Sequence, residues 1–192
     1  SYLDAGFTTF DCADIYGGVE QLLGDFRAWY GDRRGAAAAG RMQVHTKFVP
    51  DRDDLSRTSR AYVERIIDRS LRRLRVERLD LVQFHWWDLG VPGYVETAGW
   101  LSQLQREGKV RLLGATNFDT PGLAALVESG TRLATHQVQY SVLDRRPALA
   151  MADLCARHGI KLLCYGTVAG GFLSDRYLGV AESADPLPNR SL

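Results

Sequence analysis

Short apolar runs rich in β-forming residues recur along the chain at Thr8–Phe10, Met42–His45, Leu79–Phe84, Val110–Leu113, Leu133–Tyr140 and Ile160–Tyr165. Six strands are predicted, with starts 23 to 37 residues apart, and every gap is long enough for the crossover helix that parallel strands require. The intervening segments carry helix signals. Val63, Ile66, Ile67, Leu71 and Leu74 line one apolar stripe at helical spacing, which predicts a helix packed on a sheet. Thr120-Pro121 supplies an N-cap and a first-turn proline with Gly130 closing the far end, Pro147 and Gly159 bracket the next helix, and Gly108 ends one running from Glu96 to Glu107. Ala36 to Ala39 is expected in a surface loop, and Glu182 to Leu192, with Pro186 and Pro188, in another.

Unbroken βα alternation allows a doubly wound open sheet or a (β/α)8 TIM barrel. No glycine-rich phosphate loop follows the first strand, so the barrel is favoured. Six strands cannot close a barrel of eight. The chain opens on Ser1 rather than Met, and Ser1 to Gly6 reads as the last turn of a helix. Residues 1–192 are therefore expected to be one partial α/β barrel domain of six βα units, a fragment missing its first and last strands. An open barrel exposes edge strands and interior, so poor solubility or association is expected of the isolated chain.

Composition narrows the partners. The 192 residues, 45% hydrophobic and 24% charged, fit one ordinary domain, and no apolar run is long enough to span a membrane. Lys plus Arg number 24 against 23 acids, a net charge of +1 that supplies no field to hold nucleic acid. The arginine-rich segment from Arg60 to Arg75 also carries Glu64 and Asp68 and is read as a solvated helix face. Cys12, Cys155 and Cys164 lack metal-type spacing, and no secretory segment opens the chain, so a cytoplasmic setting is expected. Cys12 and Cys164 are read as small core residues.

In a parallel barrel the active site lies at the C-terminal ends of the strands. Here the apolar runs end in Asp11 with Tyr16 just beyond, Lys47, His85, Thr116 with Asn117, Gln137, and Tyr165 followed by Gly166-Thr167. An ammonium beside a phenol stabilises the phenolate and makes the phenol a usable general acid. That pairs Lys47 with Tyr16. Asp11 would hold Lys47 charged, and the His85 imidazole could donate a hydrogen bond to a substrate carbonyl. The set describes carbonyl reduction. Trp86 and Trp87 alternate in direction, and Trp86 is expected to face the substrate.

The segments Phe10-Asp11-Cys12-Ala13-Asp14-Ile15-Tyr16-Gly17, His45-Thr46-Lys47 and Gln83-Phe84-His85-Trp86 resemble motifs of the aldo-keto reductases, and Asp11, Tyr16, Lys47 and His85 match that family's Asp-Tyr-Lys-His tetrad. Glu107 to Phe118 resembles the family's segment through its Gly-x-Ser-Asn-Phe motif, with Thr116 in place of Ser; His136 stands where Asn is usual. The resemblance implies an NAD(P)H-dependent oxidoreductase acting on a small-molecule carbonyl substrate, with NADP(H) ahead of NAD(H). It also implies that Thr116, Asn117 and Gln137 hold the nicotinamide carboxamide, that Tyr165 stacks on the ring, and that Gly166, Thr167 and Val168 approach the pyrophosphate. Two other readings stay open: a dinucleotide-binding regulatory or sensor subunit, as potassium-channel β subunits resemble this family, and an inactive piece of the enzyme. A metal-dependent hydrolase using Asp11, Asp14 and His85 is disfavoured because no His-x-His occurs. The individual substrate and the oligomeric state are not legible.

Overall fold

The computed structural model describes residues 1–180, so the expected loop from Glu182 to Leu192 lies outside the described residues. Six strands form one sheet: β1 (Thr9–Asp11), β2 (Gln43–Phe48), β3 (Leu79–Phe84), β4 (Val110–Thr116), β5 (Thr135–Gln139) and β6 (Lys161–Tyr165). Every neighbouring pair is parallel, and the strand order follows the chain order. The helices α1 (Val19–Arg34), α2 (Ala36–Ala39), α3 (Arg60–Leu74), α4 (Tyr94–Arg106), α5 (Thr120–Glu128) and α6 (Ala150–Arg157) fill the crossovers.

The sheet is strongly curled. Four steps separate β1 from β5, which in a flat sheet would place them about 19 Å apart at about 4.8 Å per step. Yet Gln137 on β5 donates from Nε2 to Oδ1 of Asp11 on β1 at 3.1 Å. Six βα units thus form an open arc of the barrel expected from the alternation, with helices on its convex side.

Register sorts the side chains between the two faces. Asp11 pairs with His45, Lys47 with Gln83, Gln83 with Gly114, Thr116 with Gln137, and Gln139 with Tyr165. Since alternate residues share a face, Asp11, Lys47, Gln83, Thr116, Gln137 and Tyr165 all lie on the concave side. The other parity, including Val44, Val82, Leu113 and Ala115, is buried beneath the helices. There it meets Val63, Ile66, Ile67 and Leu74 of α3 and Ala98, Leu101 and Leu104 of α4, the predicted apolar stripe among them.

Helix ends follow local chemistry with some departures. Gly108, Gly130 and Gly159 take positive φ just beyond α4, α5 and α6, as expected. The cap of α5 is Asp119 rather than Thr120: its Oδ1 accepts from Gly122 N at 2.8 Å, and Thr120 is the first helical residue. Pro147 sits in a separate 3-10 turn, Arg146–Ala148, ahead of α6. Ala36 to Ala39 form a helical turn, not a loop, because alanine is the strongest helix former and Gly35 and Gly40 bracket the run. At Gly6 the Gly6 N–H donates to Leu3 O and the Phe7 N–H to Tyr2 O, the paired reverse bonds that close helix termini. Cys164, expected in the core, is exposed, since β6 has a neighbour on one side only among the described residues. No helix of the described residues is long and apolar enough to cross a membrane.

Candidate active site

The C-terminal ends of the strands open onto a cavity of about 540 Å³ lined by Asp11, Ala13, Ile15, Tyr16, Lys47, Val49, His85, Trp87, Thr116, Asn117, Gln137 and Tyr165. All four tetrad positions named from sequence reach it.

Lys47 is the anchor. Its side chain is 8% exposed, and its Nζ donates to Asp11 Oδ2 at 2.7 Å and to the Cys12 carbonyl at 2.9 Å. A lysine ammonium has three protons, so one remains for the cavity. Nζ lies 5.6 Å from the centre of the Tyr16 ring. Asp11 is held in turn by Gln83 Nε2 at 3.0 Å and Gln137 Nε2 at 3.1 Å, both on Oδ1. These amides leave the carboxylate oxygens directed and the ammonium paired, which offsets the desolvation of a buried charge. The Cys12 thiol beside this pair is buried, and burial pushes its pKa up to about 11, so it is an inert core residue.

His85 sits one residue beyond β3, with Nδ1 3.3 Å from the Thr116 carbonyl oxygen. Burial holds its pKa below the ordinary imidazole value, so the neutral ring is favoured. A carbonyl only accepts, so this contact places the proton on Nδ1. Donation from Nε2 to a substrate requires the ring to give up the long Thr116 contact or to carry a second proton.

The two tryptophans are placed the other way round from expectation. Trp86 is 2% exposed, packs edge-on against Phe84 and donates from Nε1 to the Val91 carbonyl at 3.0 Å. It points away from the cavity, into the layer between sheet and helices. Trp87 lines the cavity, its ring edge-on to His85 at 4.6 Å and its Nε1 bound to the Pro50 carbonyl at 2.7 Å. The alternation of β3 runs on through these residues: Gln83, His85 and Trp87 lie on the concave side and Phe84 and Trp86 on the helix side, so a cavity-facing His85 makes Trp87, not Trp86, the wall of the cavity.

Thr116, Asn117, Gln137 and Tyr165 form the opposite rim. Asn117 adopts a left-handed backbone (φ 59), and its N–H donates to the Gln137 carbonyl at 2.9 Å, which turns the amide toward the cavity. The Tyr165 hydroxyl donates to Asn117 Oδ1 at 2.9 Å. His136, fully buried, bonds through Nε2 to the Phe118 carbonyl at 3.1 Å and so fixes the same turn from below. Gly166, Thr167 and Val168 follow in the loop after β6, where Gly166 has φ 64. Primary amides, a hydroxyl, an aromatic ring and a left-handed glycine on one rim fit the edge of a nicotinamide and the backbone approach a pyrophosphate needs.

Sequence reading missed two features. Gln83 received no role, although its register opposite Lys47 carries its amide to Asp11. Arg69 and Arg73, read as part of a solvated face, reach over to the loop bearing Tyr16: Arg69 Nη2 lies 3.3 Å from Asp14 Oδ2, and Arg73 Nη1 bonds the Asp14 carbonyl at 3.1 Å and Glu20 Oε2 at 3.4 Å. Their spacing of four residues on the edge of the apolar stripe was the available signal.

Residues 1–191 match the family model described as the aldo/keto reductase family. The flagellar radial spoke protein 5 of Chlamydomonas reinhardtii is 29% identical over 208 residues, covering 91% of this chain and 38% of that protein. The holo form of an aldo-keto reductase from Bacillus halodurans superposes with a TM-score of 0.75 at 28% identity, over 97% of this chain and 60% of its own. An aldo/keto reductase from Klebsiella pneumoniae in complex with NADP and acetate gives 0.72 at 28% identity, over 93% and 60%. The chain thus spans less than two thirds of the length of each. With the strand register, the polar cluster at the strand ends and a match over nearly every residue in agreement, this chain belongs to the aldo/keto reductase family.

Proposed function

We propose that the protein reduces an aldehyde or ketone, or oxidises the corresponding alcohol, with Tyr16 as general acid. The observation that carries this reading is the Asp11–Lys47 pair at 2.7 Å beside the Tyr16 ring, facing a rim of amides across one cavity. A bound nicotinamide dinucleotide, NADP(H) ahead of NAD(H), supplies the hydride. Thr116, Asn117 and Gln137 would hold its carboxamide, Tyr165 would stack on its ring, and residues 166–168 would meet its pyrophosphate. Tyr16 gives its hydroxyl proton to the carbonyl oxygen as that oxygen gains negative charge, and the third proton of Lys47 stabilises the phenolate left behind. Asp11 pairs with Lys47 Nζ and fixes its position. His85, once its proton has moved from Nδ1 to Nε2 with loss of the long Thr116 contact, orients the carbonyl oxygen, and Trp87 and Ile15 supply an apolar wall for the rest of the substrate.

The test follows NADPH and NADH oxidation with a reactive aromatic aldehyde, comparing the chain with its Tyr16→Phe variant. Turnover lost in the variant supports the reading; equal turnover in both refutes the role of Tyr16. A second reading, a dinucleotide-binding regulatory or sensor subunit, draws on the likeness to a flagellar radial spoke protein. Cofactor binding without turnover on any carbonyl, joined to capture of a protein partner, is its signature.

A further inference from the structure

The loop from β1 to α1 carries Tyr16 and has little to hold it in place. Ile15 and Tyr16 are 48% and 46% exposed, and a Cβ placed on Gly17 or Gly18 would meet no atom within 4 Å. Within the loop, the Tyr16 amide donates to the Ala13 carbonyl and the Val19 amide to the Tyr16 carbonyl, each at 3.1 Å. These local bonds shape the turn but do not fix it to the rest of the protein. Its position therefore depends on its two ends.

Those ends are Asp14 and Glu20, 4% and 1% exposed. Asp14 Oδ1 accepts from the Val49 amide at 3.2 Å and Oδ2 faces Arg69 Nη2 at 3.3 Å. Glu20 Oε1 accepts from the Thr46 hydroxyl at 2.7 Å. A single nitrogen, Arg73 Nη1, bonds the Asp14 carbonyl at 3.1 Å and Glu20 Oε2 at 3.4 Å, so one guanidinium ties both ends of the loop together. Arg69 and Arg73 come from α3, beyond α1, α2 and β2 in the chain, and stand one helical turn apart. A buried ion pair contributes little net stability once desolvation is counted, and two adjacent carboxylates add repulsion. What such a cluster does supply is a defined geometry, and the segment it spans is the one with Tyr16 at its middle.

We propose that Arg69 and Arg73 are positioning residues that clamp the Asp14–Glu20 segment from α3 and thereby hold Tyr16 against Lys47. This rests on the reading of Tyr16 as general acid. Arg73 meets both acceptors with the two protons of Nη1, whose directions are fixed in the guanidinium plane; a lysine keeps the charge but not that fixed direction.

The experiment compares Arg73→Met, Arg69→Met and Arg73→Lys with Arg72→Met, whose side chain is exposed and forms no ion pair among the described residues. The first readout, hydrogen exchange, needs no turnover. Arg73→Met should raise exchange at the Tyr16 and Val19 amides at least tenfold while amides of β3 and β4 keep their rates, and Arg73→Lys should recover part of that protection. The second readout is aldehyde reduction, in which kcat should fall tenfold or more while KM stays within twofold. Exchange in residues 13–19 equal to that of Arg72→Met, or a uniform rise across the whole sheet, overturns the clamp. Faster loop exchange with unchanged kcat overturns the link to Tyr16. If the unaltered chain has no turnover, the reading of Tyr16 as acid fails, and the exchange data still decide the clamp.

Discussion

Gly24 is the point where α1 touches α3, and it offers a sharp test of how the two helices are docked. A Cβ at this position would lie 2.1 Å from the Arg73 carbonyl oxygen and 3.0 Å from the carbonyl carbon and Cα of Leu74. All three are backbone atoms near the C-terminus of α3, so no side-chain rotation relieves the clash, and α1 must withdraw by about 1 Å to restore ordinary contact. Overpacking of this kind costs about 1–3 kcal/mol or more, against which Ala for Gly in a helix interior returns about 1 kcal/mol. Gly24→Ala should therefore destabilise by up to about 2 kcal/mol. Gly31 on the same helix meets only the Ala39 Cβ at 3.5 Å, and Gly99 in α4 meets nothing within 4 Å. Gly31→Ala and Gly99→Ala should each stabilise by about 0.5–1 kcal/mol. Equilibrium urea unfolding of the three variants checks the contrast, with the midpoint moving at constant slope. A Gly24→Ala protein as stable as Gly31→Ala would refute the close docking and, with it, the short reach from Arg73 to Glu20.

Other outcomes follow from the same geometry. Burial first, and the neighbouring Glu20 second, push the Asp14 carboxyl up to about 7 from 3.8. A carboxyl raised on folding favours the native state below its unfolded value and loses that advantage as pH climbs to the folded one. The stability difference between the unaltered chain and Asp14→Asn should therefore shift by about 2 kcal/mol against the Asp protein from pH 5.5 to 8, read from denaturant curves. Half-buried His85 and His45 and fully buried His136, whose pKa values are lowered mainly by desolvation, slope the other way and cancel in that difference. Lys47→Met should cut kcat by roughly a hundredfold or more with the fold retained by circular dichroism, since Asp11 keeps its bonds to Gln83 and Gln137. Trp86→Ala should cost about 3–5 kcal/mol with little change in KM, whereas Trp87→Ala should raise KM for an aromatic aldehyde several-fold at a stability cost of about 1 kcal/mol.

The architecture was legible because a parallel sheet imposes both a period and a spacing. Buried strands read as unbroken apolar runs, and each is followed by a stretch long enough to cross back, so six strands and their order follow from Leu79–Phe84 and its counterparts. The concave polar row was legible for the same reason, since strands end where apolar residues give way to Asp11, Lys47, Thr116 and Gln137. What escaped the reading has local causes and distant ones. Trp86 and Trp87 are ordered by parity with His85, since alternation carries from Gln83 through His85 to Trp87 and leaves Trp86 with Phe84 on the helix side, a step the reading did not take. Thr120 and Asp119 are both competent caps, and only the turn geometry chooses between them. The acid–arginine cluster joins residues more than fifty positions apart: the four-residue spacing of Arg69 and Arg73 puts both beside the apolar stripe, but it does not say which buried carboxylates they reach.

Because strand order equals chain order, each strand pairs only with the strands next to it in sequence, and the sheet can assemble one βα unit at a time with short loops to close. Side chains reach further than this pairing, Gln83 to Asp11 across one strand and, furthest among the described residues, Gln137 to Asp11 across 126 positions. The Gln137–Asp11 bond requires β1 to β5 already curled, so it belongs to the last events of folding. Contacts absent from a folding transition state act on the unfolding rate. The same amide that steadies the Asp11 carboxylate is thus a latch on kinetic persistence: its loss leaves the rate of folding alone and shortens the lifetime of the folded arc.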